Sequence, residues 1–303
     1  MSIVSTQERH GVQQTALPTE LGIESAADEL STLTLPSAHV LVAEDNLANQ
    51  EVARLMLKGL GCQSTVVADG HEAVKAFCSG SYDVILMDCQ MPVMDGYQAT
   101  TAIRNHEYKS GATERIPILA LSADAVEGAD ERCVAAGMDD YLSKPFTVQQ
   151  LFEILSRWLL EETSAPMDVL AGTDIKEATT DVAAVEVLDQ LALNNIRQVQ
   201  KMTGSNVLEH LINIYFTEAP VLVDTLCEAY NKNDSHCVAK TAHRLKSSSS
   251  NIGAKRLAAL FGTLEAKAKE NQLKPVEPLM VLLEAEYQLV RQALTLELRG
   301  HSE

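Results

Sequence analysis

The apolar positions of the chain follow two different periodic patterns, one before and one after a polar stretch near residues 162–186. Between residues 39 and 160, short β-rich runs alternate with amphipathic stretches at helical spacing. The runs are HVLVA (39–43), STVVA (64–68), DVILM (83–87), IPILALS (116–122) and DDYLS (139–143), and the helical stretches cover 48–60, 70–79, 96–105, 124–136 and 148–160. This alternation predicts βαβ crossovers and therefore an α/β region whose doubly wound, five-stranded parallel sheet is covered on both faces.

From residue 188 onward the strand pattern disappears and apolar residues recur at helical spacing only. They include Val207, Leu208, Leu211, Ile212, Tyr215, Leu222, Leu226, Val238, Ala242, Leu245, Ile252, Leu257, Leu260, Phe261 and Leu264, and a last helix is predicted over 279–298. Short connections at 231–234 and 251–253 favour antiparallel neighbours. The second region is therefore predicted to be all-α, an antiparallel four-helix bundle.

The charge is concentrated in two stretches that show little periodicity. Residues 1–37 hold five acids and one base, and residues 162–186 hold six acids and one base, so together they supply −9 of the net charge of −18. Such acidic, Ser/Thr/Ala-rich stretches are typical of disorder. The predicted organisation is an acidic flexible tail (1–37), a first domain (38–161), a flexible linker (162–185) and a second domain (186–303).

Composition also excludes several classes of protein. A net charge of −18 repels a polyanion and argues against nucleic-acid binding. No stretch approaches the roughly 20 apolar residues of a membrane helix, and the first residues lack a secretory signal, so we expect a cytoplasmic protein without membrane insertion. The six cysteines are scattered without metal-ligand spacing, which fits a reducing compartment.

Five polar residues lie where the predicted strands end. Glu44 and Asp45 follow the first strand, Asp88 the third, Ser122 ends the fourth and Lys144 follows the fifth. The carboxyl ends of parallel strands meet at one edge of a sheet, so these side chains should converge. Three carboxylates suit a hard cation such as Mg²⁺. The cation, Lys144 and Ser122 could hold the oxygens of a phosphoryl group while Asp88 attacks it.

Four segments around these residues resemble response-regulator receiver domains. They are VLVAEDN (40–46), DVILMDCQMPVMDG (83–96), ILALSA (118–123) and YLSKPF (141–146), and the EDNLANQ start most resembles the receivers of hybrid histidine kinases. The resemblance implies a flavodoxin-like fold with Asp88 as phosphoacceptor and Glu44, Asp45 and Asp88 as Mg²⁺ ligands. It further implies that the backbone carbonyl of Gln90 completes the ligands, that Ser122 and Lys144 bind the phosphoryl group, that Tyr141 is a switch aromatic and that the 144–145 peptide is cis.

Several of these residues are also compatible with purely structural roles. Ser122 could also cap the following helix, and Tyr141 could be a plain half-buried aromatic. Asp95 and Gly96 fit a helix start better than chemistry. A dehalogenase-type phosphatase also uses an aspartyl nucleophile after a strand, but its family carries a second Asp two residues later, where this chain has Gln90.

One histidine of the helical region stands apart from the core. At about 100° per residue, one face of its helix collects the apolar and small residues, and His243 points roughly 140° from the centre of that face. That face consists of Val238, Ala242, Leu245, Ser249 and Ile252. We expect an exposed His243 imidazole, with Lys246 near enough to offset phosphoryl charge and the small Ser247 leaving space for a partner. Imidazole is nucleophilic near pH 7.

The string AHRLKSSSSNIGAKRL (242–257) resembles histidine-phosphotransfer (HPt) domains, over about residues 186–298. The resemblance implies that His243 carries a phosphoryl group. The family has Gly where this chain has Ser247, which narrows the docking space slightly. His236 lacks the Lys-Ser continuation and is interpreted as surface, while Arg244 is interpreted as a partner-facing or solvated charge.

The two resemblances together imply an intermediate of two-component phosphorelay signalling. Its partners would be a sensor histidine kinase acting in trans, because no glycine-rich ATP lid is found, and a downstream response regulator or other HPt protein. Whether the chain is an enzyme is left open. A regulatory receiver with a separate HPt pathway, or a phosphate sink, are the alternatives. The Met1 start favours a complete protein over a fragment of a hybrid kinase.

Overall fold

The first domain is built on a five-stranded parallel sheet. The computed structural model describes residues 33–122, 129–160 and 187–300. The strands are β1 (His39–Ala43), β2 (Gln63–Val67), β3 (Val84–Asp88), β4 (Ile118–Ser122) and β5 (Asp140–Ser143), in the order β2-β1-β3-β4-β5. Every pairing is parallel. This strand order is the flavodoxin-like one, so the predicted α/β fold is confirmed.

Five helices of the described ranges alternate with these strands. They are α1 (Leu47–Gly59), α2 (Gly70–Ser79), α3 (Gly96–Ser110), α4 (Ala129–Ala136) and α5 (Val148–Leu160). Residues 123–128, which include the start of the helix predicted over 124–136, lie outside the described residues. The side chain of Asp95 accepts a bond from the N–H of Gln98 at 2.8 Å and so caps α3.

Burial along the strands follows from helices on both faces. All five residues of β3 and of β4 are buried, and so are four of the five in β1. The outer strands β2 and β5 are mostly half-buried. Because helices cover both faces of the central strands, the sequences of β3 and β4 are continuous apolar runs that end in Asp88 and Ser122.

The second domain is a helical bundle preceded by one further helix. The helices are α6 (Gln190–Thr203), α7 (Val207–Asn231), α8 (Ser235–Asn251), α9 (Lys255–Lys269) and α10 (Glu277–Gly300), with a 3₁₀ turn at Lys274–Val276. In the bundle, α7 contacts α8, α8 contacts α9, α9 contacts α10, and α10 contacts α7. The four-helix bundle is confirmed, and α6 is an addition that packs on α7 and on α1 of the sheet domain.

The apolar face predicted for α8 is confirmed. Its five members are each at most 1% exposed: Val238, Ala242, Leu245, Ser249 and Ile252. The largest fully buried side chains of the bundle are Tyr215 and Phe261. Tyr215 lies 3.4 Å from the hydroxyl of Ser249, so the small polar residue on this face has a partner inside the core.

The structure describes only some of the residues near the predicted domain boundaries. Leu35, which lies inside the tail predicted over 1–37, is buried, and its N–H donates to the Leu60 carbonyl at 2.9 Å. That residue therefore belongs to the folded part. Residues 1–32 and the linker predicted over 162–185 lie outside the described residues. Their flexibility stays a prediction. The Lys144–Pro145 peptide is cis, as expected.

Candidate functional site

Three carboxylates meet at the carboxyl edge of the sheet. Glu44 and Asp45 follow β1 directly, and Asp88 is the last residue of β3, the neighbouring strand. One carboxylate oxygen from each lies within 4.8 Å of the others. Glu44 and Asp88 are only 1% and 3% exposed. The convergence predicted from the strand ends is therefore observed.

Lys144 neutralises part of this cluster. Its Nζ lies 2.5 Å from Oε2 of Glu44 and 2.9 Å from Oδ2 of Asp88. Burial alone would lower the pKa of Lys144, but the charges of Asp88 and Glu44 outweigh it and raise the pKa above the ordinary 10.5. The ammonium is therefore a fixed positive charge beside Asp88 at neutral pH.

One lysine is not enough to balance the three acids. Burial raises the pKa of Glu44, with Asp88 adding to the rise and Lys144 opposing it. Burial also raises the pKa of Asp45, with Glu44 adding to the rise. A cluster of hard oxygen donors that resists ionisation is the environment that a divalent cation stabilises. The donor set therefore fits Mg²⁺.

The other predicted receiver residues lie around the cluster. Ser122 ends β4, next to β3, and is 7% exposed. The N–H of Gln90 donates to Oδ1 of Asp88 at 3.1 Å. Tyr141 on β5 is half-buried against the core beneath the site. The roles assigned to Ser122, to the Gln90 carbonyl and to Tyr141 stay predictions.

Gly96 closes the loop that follows Asp88. Its N–H donates to the carbonyl of Cys89 at 3.2 Å. A Cβ at this position would lie 2.1 Å from the backbone oxygen of Asp88. Only glycine lets α3 start this close to the strand that carries the candidate phosphoacceptor. The residue is a structural requirement of the site.

His243 lies on α8, but the prediction that its imidazole is exposed was wrong. The residue is only 7% exposed. Helical geometry placed it correctly away from the core of the bundle. However, Glu265 of α9 contacts one side of the ring, and receiver residues Asp45 and Gln90 face it across a cleft of about 560 Å³. The first domain thus covers the face of the second domain on which His243 was expected to be exposed.

Glu265 holds one nitrogen of the His243 ring. Nδ1 lies 3.0 Å from Oε1 of Glu265, which also accepts from Lys269 at 2.7 Å, and Lys246 lies 3.6 Å from Oε2. Burial would raise the pKa of Glu265, but His243 and Lys269 lower it to about 2. The contact with Glu265 favours the ring tautomer that carries a proton on Nδ1 and has its lone pair on Nε2.

The two domains meet through a small polar interface next to both centres. The two folded regions belong to one compact unit. Asn46 caps α1 with its side-chain oxygen and donates through Nδ2 to Oγ of Ser248 at 2.6 Å and to the carbonyl of Arg244 at 3.3 Å. Asn251 donates to Asn49 of α1. These bonds fix α8 against the start of α1, directly after Glu44 and Asp45.

Ser247 lies on the same side of α8. It lines a cavity of about 30 Å³ together with Lys144, Pro145 and Asn49 of the first domain. The helix face that carries His243 and Ser247 therefore contacts the sheet edge that carries the carboxylates.

Two site residues were missed by sequence reasoning. Glu265 was not singled out, although it lies among apolar positions at helical spacing and is itself 4% exposed. An acid on the apolar face of a helix is the signal that could have found it. Asn46 was noted only as part of a motif. Its position at the start of a helix predicts that its side-chain oxygen caps the helix, but does not reveal that its side-chain nitrogen binds another domain.

No helix of the described ranges is long and apolar enough to cross a membrane.

Comparison with protein families identifies both domains. The model of the response regulator receiver domain matches residues 40–156, and the model of the Hpt domain matches residues 210–293. Both matches lie within the two domains described above.

Two curated relatives illustrate the similarity. The chain is 37% identical over 158 residues to Histidine kinase 5 of Arabidopsis thaliana, covering 45% of this chain and 17% of that protein. It is 28% identical over 269 residues to Sensor protein GacS of Pseudomonas syringae pv. syringae, covering 86% of this chain and 28% of that protein. The chain thus spans less than a third of either relative.

A solved structure similar to the first domain is the receiver domain of sensor histidine kinase PA1611 from Pseudomonas aeruginosa PAO1, with a magnesium ion coordinated in its active site cleft. It is 47% identical, and the match covers 42% of this chain and 100% of that chain with a TM-score of 0.38. The family matches, one on each domain, decide the assignment: this chain joins a response regulator receiver domain to an Hpt domain.

Proposed function

We propose that this chain is a phosphorelay intermediate in which Asp88 and His243 exchange a phosphoryl group within one molecule. The observation that carries the proposal is the interface. Asn46, two residues after Glu44, bonds to α8 through Ser248 and through the backbone of the residue after His243. An interface of this kind would hold the two reacting groups in a defined orientation, which lowers the entropic cost of transfer.

In the first step, an oxygen of Asp88 forms a bond to the phosphorus of a phosphohistidine on a sensor histidine kinase. The phosphorus–nitrogen bond breaks, and the kinase imidazole leaves with the electron pair. Lys144, already 2.9 Å from Asp88, balances the charge on the phosphoryl oxygens, with Ser122 as a hydroxyl donor. Glu44, Asp45, Asp88 and the carbonyl of Gln90 would hold Mg²⁺, which supplies further charge neutralisation.

In the second step, Nε2 of His243 forms the bond to phosphorus, and the bond to the Asp88 oxygen breaks, which restores the carboxylate. Glu265 keeps the proton on Nδ1 and offsets the positive charge that the ring gains. The same path run backwards returns the phosphoryl group to an aspartate. A downstream response regulator or another HPt protein in the cytoplasm is the proposed downstream partner of this chain.

The experiment is a pulse of a small-molecule phosphodonor to the full chain, followed by separation of alkali-stable from alkali-labile phosphate. Acyl phosphate on Asp88 and phosphohistidine on His243 differ in these stabilities, so both can be followed. We expect label on His243 only when Asp88 is present, and loss of that label in His243→Gln. Ser247→Trp should slow transfer at least about tenfold, because bulk separates the reacting groups.

The matched control is His236→Gln. His236 lines the same cleft as His243 but is exposed and lies two helical turns earlier on α8. It should leave labelling unchanged. If His243 never gains label from Asp88, the two domains serve separate pathways. If Asp88 takes label equally well in excess chelator, the magnesium part of the proposal is wrong.

A further inference from the structure

Arg244 reaches from the HPt domain into the acidic cluster of the receiver. It follows His243 directly on α8, and its Nε lies 3.4 Å from Oδ2 of Asp45. A terminal nitrogen of the same guanidinium donates to the backbone carbonyl of Asp45 at 3.4 Å. With the arginine in place, the Asp45 side chain is 6% exposed.

The guanidinium is held by charge more than by directed hydrogen bonds. Its buried Nε makes no hydrogen bond to any part of the chain that the structure describes. Oε2 of Glu218 on α7 is likewise buried without such a bond among the described residues. Burial raises the pKa of Glu218, and the charge of Arg244 opposes that rise. Arg244 thus lies between two acids, one in each domain, without ideal geometry to either.

The Asp45 carboxylate that contacts Arg244 also belongs to the acidic cluster of the receiver. It is one of the three carboxylates whose oxygens lie within 4.8 Å of one another. A divalent cation there and the guanidinium would be close neighbours on one carboxylate. Two cations in a poorly solvated site repel each other, so each weakens the binding of the other.

We propose that Arg244 couples the docking of the HPt domain to the metal site of the receiver, so that docking lowers the affinity for Mg²⁺ and Mg²⁺ loosens docking. This inference rests on the proposed magnesium site. The coupling is reciprocal because it is a property of one thermodynamic cycle. In the relay, binding of Mg²⁺ would then shift the receiver from a metal-free state docked on the HPt domain to a metal-bound state that is less tightly docked and accessible to a kinase. A typical coupling of this kind changes affinity about tenfold.

The test is isothermal titration of Mg²⁺ into the full chain, without phosphodonor, for the wild type and three variants. Arg244→Gln removes the positive charge and should bind Mg²⁺ about tenfold more tightly. Arg244→Lys keeps the charge and should stay within about threefold of the wild type. Lys232→Gln makes the same change in net charge directly after the end of α7, where Lys232 is 72% exposed and pairs with Glu228, and it should have no effect.

The outcomes separate this inference from the proposed function. Equal Mg²⁺ affinity in wild type and Arg244→Gln overturns the coupling and leaves the magnesium site standing. Equal tightening in Arg244→Gln and Arg244→Lys also overturns it, because the side chain would then act through its shape and not its charge. No binding in any variant overturns both the coupling and the proposed magnesium site.

Discussion

The two candidate phosphoacceptors are built in opposite ways. Asp88 depends on Glu44, Lys144 and other residues that the sheet brings together over about a hundred positions of sequence. His243 depends on Lys246 within one turn of its own helix and on Glu265 of the next helix. The receiver centre collects carboxylates around one lysine, and burial, with the charge of Asp88 adding to it, raises the pKa of Glu44. In the HPt centre, His243 and Lys269 outweigh the effect of burial and lower the pKa of Glu265 to about 2. The candidate acceptor aspartate thus lies beside a cation, whereas the candidate acceptor histidine lies beside an anion.

Substitution of the lysine in each centre should give the largest difference in stability between the two. Lys144→Met should destabilise the receiver by about 3–5 kcal/mol, because it leaves buried Glu44 and Asp88 without their cation. Added Mg²⁺ should restore part of that loss. Lys246→Met should cost less than about 1 kcal/mol, because Glu265 keeps its bonds to His243 and Lys269. Urea unfolding of both variants, with and without Mg²⁺, measures these effects. Similar losses for the two would contradict the comparison.

Acid should remove the stabilisation at the HPt centre. The folded pKa of Glu265, about 2, is below its ordinary 4.5, so the folded state binds fewer protons there. The contribution is present above pH 4.5 and is lost as the pH falls through 2. It amounts to about 3 kcal/mol. Unfolding of wild type and Glu265→Gln between pH 5 and pH 2 measures it. The difference in unfolding free energy should shrink over this range, and a constant difference would argue against the Glu265 interpretation.

Alanine substitution of one glycine in each domain tests the packing within that domain, with a smaller expected change in stability than the two tests above. Gly96→Ala should destabilise the receiver by about 1–3 kcal/mol and reduce labelling of Asp88, because the new Cβ collides with the Asp88 backbone. Gly262→Ala, inside α9, meets only the Lys246 side chain at 3.6 Å and should stabilise the bundle by about 0.5–1 kcal/mol. Thermal unfolding of both variants checks the opposite signs. Two stabilising substitutions would show that the loop after Asp88 can move.

Sequence patterns predicted the receiver site well because each residue is tied to a strand end. β1 and β3 end at Ala43 and Asp88, so the positions of Glu44, Asp45 and Asp88 follow from the sheet alone. The surroundings of His243 were predicted less well. Periodicity gives the direction of a side chain from its own helix, but it does not say that Glu265 or a neighbouring domain lies in that direction. Burial of His243 is therefore a tertiary property, and local spacing could not reveal it.

The bonds that join α1 to α8 have a consequence for how separate signalling routes stay separate in one cell. Asn46 and Asn49 meet Ser248 and Asn251 through neutral amide and hydroxyl groups. Neutral pairs gain little from long-range steering, so these contacts should respond less to salt than the Arg244–Asp45 pair beside them, and their recognition depends on matching donors with acceptors. A designer could therefore insulate a second copy of this relay by exchanging donor and acceptor across one such pair, leaving Asp88 and His243 untouched.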